Sequence, residues 1–77
     1  MDKHERLRFL EGQLLWSMER ARILDEIEAK LQEMKRIAAY ALNCELVYFE
    51  GEALNLRIVV LKEEVISLEQ KLQMNFH

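Results

Sequence analysis

The stretch Leu54-Asn-Leu-Arg-Ile-Val-Val-Leu-Lys-Glu-Glu-Val-Ile-Ser-Leu-Glu-Gln-Lys-Leu72 decides the fold. Large aliphatic side chains recur in it every three or four residues, at Leu54, Ile58, Leu61, Val65, Leu68 and Leu72. Residues at these spacings share one face of an α-helix, and charged residues occupy the remaining faces. The stretch therefore predicts an amphipathic helix over about residues 53–73 that buries its apolar face against another helix.

A longer helix is predicted before it, over about residues 3–42. Asp2 is a suitable N-cap, Glu5 lies in the first turn where the helix dipole favours a carboxylate, and no proline interrupts the chain. Asn43 can adopt a left-handed cap and Gly51 is flexible, so the connection is expected at about 43–52. The predicted apolar stripe of this helix is Leu7, Leu10, Leu14, Met18 or Ala21, Leu24, Ile27, Leu31, Met34, Ala38 and Ala41.

The spacing of this stripe changes near its middle. Two successive steps of three residues, from Ala21 to Leu24 to Ile27, rotate the apolar face around the helix axis. The two halves of the helix are therefore expected to face different neighbours.

The region of the connection also allows a β-hairpin. Leu46-Val-Tyr-Phe49 precedes Glu-Gly-Glu, and apolar residues then alternate from Leu54 to Val60, as in two strands around a turn. The alternative fold is thus α-β-β-α with a hairpin at about 45–60. The stripe that continues through the same residues into Lys62 favours an all-α hairpin.

The two predicted helices differ in length, at about 60 Å and about 33 Å for a rise of 1.5 Å per residue. In an antiparallel hairpin the second helix reaches only to about Ala21. Within a single domain, 1–77, residues 1–20 then form a protruding helical arm for association, called the arm below. The predicted interface residues on it are Leu7, Leu10, Leu14, Trp16 and Met18. We expect a homo-oligomer, either a dimer or a larger bundle, or a helical partner protein.

The second helix limits how copies can pair. Four further apolar residues, Leu56, Val59, Val60 and Ile66, widen its stripe beyond a two-stranded seam, which is typical of burial among three or four helices. A parallel in-register pair would place like charges together at its flanks, so this arrangement is disfavoured.

Composition excludes several classes of partner. The formal net charge is −3, and eleven Lys and Arg are interleaved with fourteen Asp and Glu, which argues against nucleic acid. No apolar run approaches the roughly 20 residues of a membrane span. Binding of the Trp16 segment to a membrane surface is disfavoured because Glu5, Glu11 and Glu19 dilute its basic residues. The charged N-terminus does not resemble a signal peptide, so a cytoplasmic location is expected.

No residue pattern indicates chemistry. His4 and His77 stand at opposite ends of the chain, and Cys44 has no neighbouring histidine or basic cluster to activate it. Glu63 and Glu64 are adjacent, so they point to different sides of a helix and do not form a catalytic pair. We therefore expect no enzyme activity, no metal, no cofactor and no small-molecule substrate.

Several motifs resemble a known family. They are Leu24-Asp-Glu-Ile27, Leu31-Gln32-x-Met34-Lys35-x-Ile37-Ala38-x-x-Ala41-x-Asn43, Ala53-Leu54-x-x-x-Ile58-x-x-Leu61-Lys62-x-Glu64-Val65 and Gln73-Met74-Asn75. From about Gly12 to Phe76, without gaps, the chain resembles the N-terminal part of the rod-like D1 domain of bacterial flagellin. The resemblance implies a long helix, a turn and a shorter antiparallel helix. It also implies a structural protein that polymerises, with an extracellular or flagellar location.

The chain departs from flagellin in ways that matter. It looks to lack the extreme N-terminal segment and the C-terminal half, so we expect that it does not form an ordinary filament subunit by itself. The usually polar loop is apolar here, at Leu46-Val-Tyr-Phe49. Where the innate immune receptor reads flagellin, Lys35 keeps the basic charge, but Arg36 and Tyr40 replace the usual Glu and Gln.

The sequence therefore predicts a non-enzymatic, flagellin-like helical module for protein–protein interaction or assembly. The alternative is a small soluble helical regulator that binds a partner protein and inhibits or sequesters it. The two hypotheses differ in what the apolar surface contacts, since an assembly module binds copies of itself or filament components.

Overall fold

The computed structural model describes residues 2–76, and of Asn75 and Phe76 it describes the backbone alone. Helix α1 spans Lys3–Asn43 and helix α2 spans Tyr48–Phe76. The two helices pack side by side in antiparallel directions. The molecule measures 67 × 19 × 13 Å with a radius of gyration of 19.2 Å, against about 11–12 Å for a compact domain of this length. The fold is a rod-shaped helical hairpin.

The all-α prediction is confirmed, and the alternative β-hairpin at about 45–60 is wrong. No strand occurs in residues 2–76. The Val47 carbonyl accepts hydrogen bonds from the Glu50 and Gly51 amides at 3.0 and 3.1 Å, which starts a helix where the strands would lie. The helical spacing of the apolar residues thus outweighs their local alternation, because it lets them pack on α1.

The ends of α1 lie close to the predicted positions. The Asp2 backbone is extended, and its carboxylate accepts a 2.7 Å hydrogen bond from the Glu5 amide, so Asp2 is the N-cap. The left-handed cap predicted at Asn43 is absent. Helix α1 instead ends at Asn43 and continues into an extended Cys44, and no residue in the described range has a positive φ.

The connection is shorter, and α2 longer, than predicted. The connection comprises residues 44–47 and not 43–52, while α2 begins at Tyr48 and extends to Phe76. Its C-terminal part passes beyond the predicted limit near Ala21, because the Lys71 ammonium lies 3.7 Å from the Glu19 carboxylate. The last turns of α2 therefore run beside the end of the arm.

The helices meet along one apolar seam, formed by Ile23 and Ile27 of α1 and Leu61 and Val65 of α2. Ile23 and Leu61 are fully buried, and the partly buried Leu68 and Leu72 extend the seam toward the end of α2. The stripe predicted for α2 is therefore the one that packs. The stripe predicted for α1 is partly wrong, since Ile23 fills the position assigned to Leu24.

This difference in α1 has a simple geometric reason. Ile23 and Leu24 are both apolar, and adjacent residues on a helix point about 100° apart, so only one of them can face α2. Ile23 takes that position, and Leu24 and Leu31 each remain 44 % exposed. The seam therefore leaves large aliphatic side chains in solvent.

Because the seam has few members, each should matter strongly. We expect Leu61→Ala to lower the free energy of unfolding by about 2–4 kcal/mol, since it removes a fully buried side chain and leaves a cavity. The matched control is Leu56→Ala on the outer surface of the same helix, which should change it by less than about 0.5 kcal/mol. Urea unfolding followed by circular dichroism at one protein concentration measures both. Equal effects would show that Leu61 is not part of the core.

Candidate protein interface

The predicted interface residues of the arm are all exposed. Leu7, Leu10, Leu14, Trp16 and Met18 keep between 40 and 60 % of their surface accessible. Clusters of exposed large apolar side chains are typical of contact surfaces.

Four of these residues form one stripe, and it points away from α2. Leu7, Leu10, Leu14 and Met18 follow one another at intervals of three or four residues, and we call them the arm stripe. Leu14 precedes the buried Ile23 by nine residues, which is about two and a half helical turns, so the two side chains lie on opposite sides of α1. A longer α2 would therefore not cover the arm stripe, because these side chains point away from the side of α1 on which α2 packs.

The structure places Trp16 elsewhere. It precedes Ile23 by seven residues, close to two full turns, and so lies on the side of α1 that faces α2. The guanidinium carbon of Arg20 is 5.8 Å from its ring centroid, within the range of a cation–π contact. The five predicted interface residues thus belong to two surfaces of the arm.

One side of the hairpin carries the ion pairs between the helices, and we call it the polar side. The Lys30 ammonium lies 2.6 Å from the Glu64 carboxylate, and the Arg57 guanidinium lies 3.0 Å from that of Glu33. The pair of Lys71 and Glu19 lies farther along the same side. These pairs are partly exposed, so solvent weakens them, but their positions match only one antiparallel register.

The same contacts change the acidity of two carboxylates. The hydrogen bond and charge of Lys30 lower the pKa of Glu64. Hydrogen bonds from Arg22 lower the pKa of Glu19, and the charge of Lys71 acts in the same direction. Arg22 also donates to Glu26 one turn farther along α1.

The opposite side of the hairpin is apolar. Leu24 follows Ile23 and Ile66 follows Val65, and in antiparallel helices these single steps turn both side chains to the same side of the pair. Leu31 and Val59 lie on this side as well. We call these four residues the apolar side, and each is 42–44 % exposed. Sequence reasoning noted Val59 and Ile66 as extra apolar residues but assigned Leu24 and Leu31 to the core.

A shallow, open depression of about 250 Å³ on the polar side is lined by Glu26, Lys30, Glu64, Ser67 and Leu68, and ligand pockets usually measure about 300–1,000 Å³. Among residues 2–76, no group of three His, Cys, Asp or Glu side chains is placed to hold a metal ion. Neither α1 nor α2 combines the length and apolar character that crossing a membrane requires.

Comparisons with protein-family models, with curated proteins and with solved structures found no match for this chain. Two surfaces of the hairpin stand out, the arm stripe and the apolar side, and both consist of exposed apolar side chains.

The pKa shift of Glu64 predicts a dependence of stability on pH. A carboxylate whose pKa is lowered by folding adds stability above its ordinary pKa of 4.5, and this is lost as the pH falls through the folded-state value. We expect the thermal midpoint to decrease as the pH is lowered below 4.5. This decrease should be smaller in Glu64→Gln than in the wild type. Thermal scans between pH 7 and pH 3 measure the difference.

The control for this experiment is Glu63→Gln. Glu63 is adjacent to Glu64, but it has no ion pair or hydrogen bond of its side chain within the part of the chain that the structure describes. Its substitution should leave the acid sensitivity unchanged. If Glu64→Gln loses stability toward low pH as steeply as this control, the contact with Lys30 does not contribute.

Proposed function

We propose that this chain is a non-enzymatic assembly module, a helical hairpin that associates with other copies of itself through the arm. The observation that carries the proposal is the direction of the arm stripe. Leu7, Leu10, Leu14 and Met18 lie on the side of α1 opposite the seam, so α2 does not shield them. Another molecule has to provide that cover.

The total exposed surface supports association. The accessible area is 6540 Å², whereas a compact monomer of 9.2 kDa exposes about 4,900 Å². A two-helix rod has no second layer, and it exposes roughly 1,600 Å² more than a compact monomer. Burial of apolar surface contributes about 25 cal/mol per Å², which favours contacts that add further helices.

The flagellin resemblance supports the same kind of function. Flagellins are structural proteins that polymerise, and the segment that this chain resembles forms a long helix and a shorter antiparallel helix. The hairpin of α1 and α2 has that arrangement. We therefore propose a flagellin-like assembly role in which helix packing, and no chemical step, is the activity.

The proposal predicts that charges on the arm stripe lower the oligomeric state. In Leu10→Glu/Leu14→Glu, two carboxylates replace aliphatic contacts at neighbouring positions of the stripe and would have to be buried without partners. We expect the association constant to fall by at least about tenfold, equivalent to about 1.4 kcal/mol. Sedimentation equilibrium at several protein concentrations measures the change.

The matched control is Gln13→Glu/Ser17→Glu, which adds the same charge at the same spacing but replaces polar residues beside the stripe. It should keep the association through the arm, because neither residue belongs to the arm stripe. A wild-type chain that stays monomeric at 100 µM while fully helical would contradict the proposal and favour the alternative function, a helical regulator of a partner protein.

A further inference from the structure

We propose that the apolar side of the hairpin is a second interface, distinct from the arm, and that a second copy of this chain covers it to form a four-helix bundle. The inference rests on the proposed self-assembly, and it adds a surface and its occupant. The surface consists of Leu24 and Leu31 of α1 and Val59 and Ile66 of α2.

The register of the hairpin groups these residues into two layers. The pairs of Glu19 with Lys71 and of Glu33 with Arg57 fix which residues of α1 and α2 lie at the same height. Counting from those pairs, Leu24 lies level with Ile66, and Leu31 lies level with Val59. The layers are seven residues apart, about 10 Å along the axis, which is one heptad repeat.

The surface formed by these two layers can be complementary to the same surface on a second copy. In a two-fold symmetric dimer the same patch is present on both partners, so it must be complementary to itself. A two-fold axis parallel to the helices brings each layer against its own copy, and an axis across the helices brings one layer against the other. In both cases branched aliphatic side chains meet branched aliphatic side chains, and the result is an apolar bundle core.

The charges around the apolar side do not oppose such a dimer. If all charged residues around this side had the same sign, they would repel the same residues of a second copy. Charges of both signs permit pairing. The cationic residues on or beside this side are Arg20, Lys35 and Lys62, and the anionic residues are Glu28, Glu52, Glu63 and Glu69. Both signs are therefore present. On the polar side, in contrast, the charged groups already pair between α1 and α2.

An interface of standard size covers about 800 Å² on each partner, which is half of the roughly 1,600 Å² by which the whole chain exceeds a compact monomer of its mass. A dimer through the apolar side leaves the arm stripe available for a separate contact, because the two surfaces point in different directions.

Two adjacent valines provide the test. Val59 is 42 % exposed on the apolar side, and Val60 is 41 % exposed but points about 100° farther around α2, past its outer surface and toward the polar side. Val59→Glu and Val60→Glu therefore make the same chemical change at the same exposure in the same helix. We expect Val59→Glu to weaken dimerisation at least about tenfold, and Val60→Glu to retain the wild-type association constant.

Sedimentation equilibrium of the full chain measures dimerisation, and circular dichroism reports whether each variant stays helical. Where a variant loses helix, the dependence of its thermal midpoint on protein concentration replaces the sedimentation reading. The midpoint should rise with concentration for the wild type and Val60→Glu, but not for Val59→Glu. Equal behaviour of the two variants, or a monomeric wild type, would overturn the inference.

The arm variant separates this inference from the proposed function. Leu10→Glu/Leu14→Glu should abolish species larger than the dimer and keep the dimer, since it leaves the apolar side intact. Loss of the dimer in this variant, together with its persistence in Val59→Glu, would place the contact on the arm and would overturn the apolar-side interface alone.

Discussion

The structure depends on one narrow apolar contact between two antiparallel helices. Ile23 and Ile27 pack with Val65, Leu68 and Leu72. Leu61 is buried on the same helix as Val65, and Ile23 and Leu61 are the two fully buried side chains. Outside this seam, both helices keep at least one side in water. The seam fixes the rotation of each helix about its axis, and this rotation decides which apolar residues are covered. The arm stripe and the apolar side exist because the sequence has more aliphatic residues than a single seam can bury.

Much of this architecture follows from local sequence rules. The spacing from Leu54 to Leu72 predicts α2, and Asp2 with Glu5 predicts the start of α1 within one residue. The connection was harder to predict because Asn43 and Gly51 both favour a turn. One glycine inside a helix costs only about 1 kcal/mol, and by continuing through Gly51 the helix reaches Val47, whose carbonyl accepts its first hydrogen bonds. Residues that tolerate a turn do not have to form one.

The candidate surfaces could be predicted only in part. The arm residues were recognisable from their apolar character. The nine residues between Leu14 and Ile23 place these two side chains on opposite sides of the helix. This separation identifies the exposed side only when it is known that Ile23, and not Leu24, packs on α2. Trp16 shows the same difficulty, since its apolar character and its place on the arm grouped it with interface residues from which the structure separates it. Which of two adjacent apolar residues enters a core depends on the packing of both helices, and a single helix pattern does not contain that information.

Helix α1 runs without interruption through both exposed surfaces, and this has a consequence for any larger structure built from them. The centre of the arm stripe and the centre of the apolar side are separated by about 23 Å of helix at 1.5 Å per residue. The stripe faces directly away from the seam, whereas the apolar side faces at about a right angle to it. Two neighbours bound at these surfaces would therefore be offset along α1 and would lie about a right angle apart around its axis. The relative placement of neighbours in an array would then follow from the helical repeat of α1.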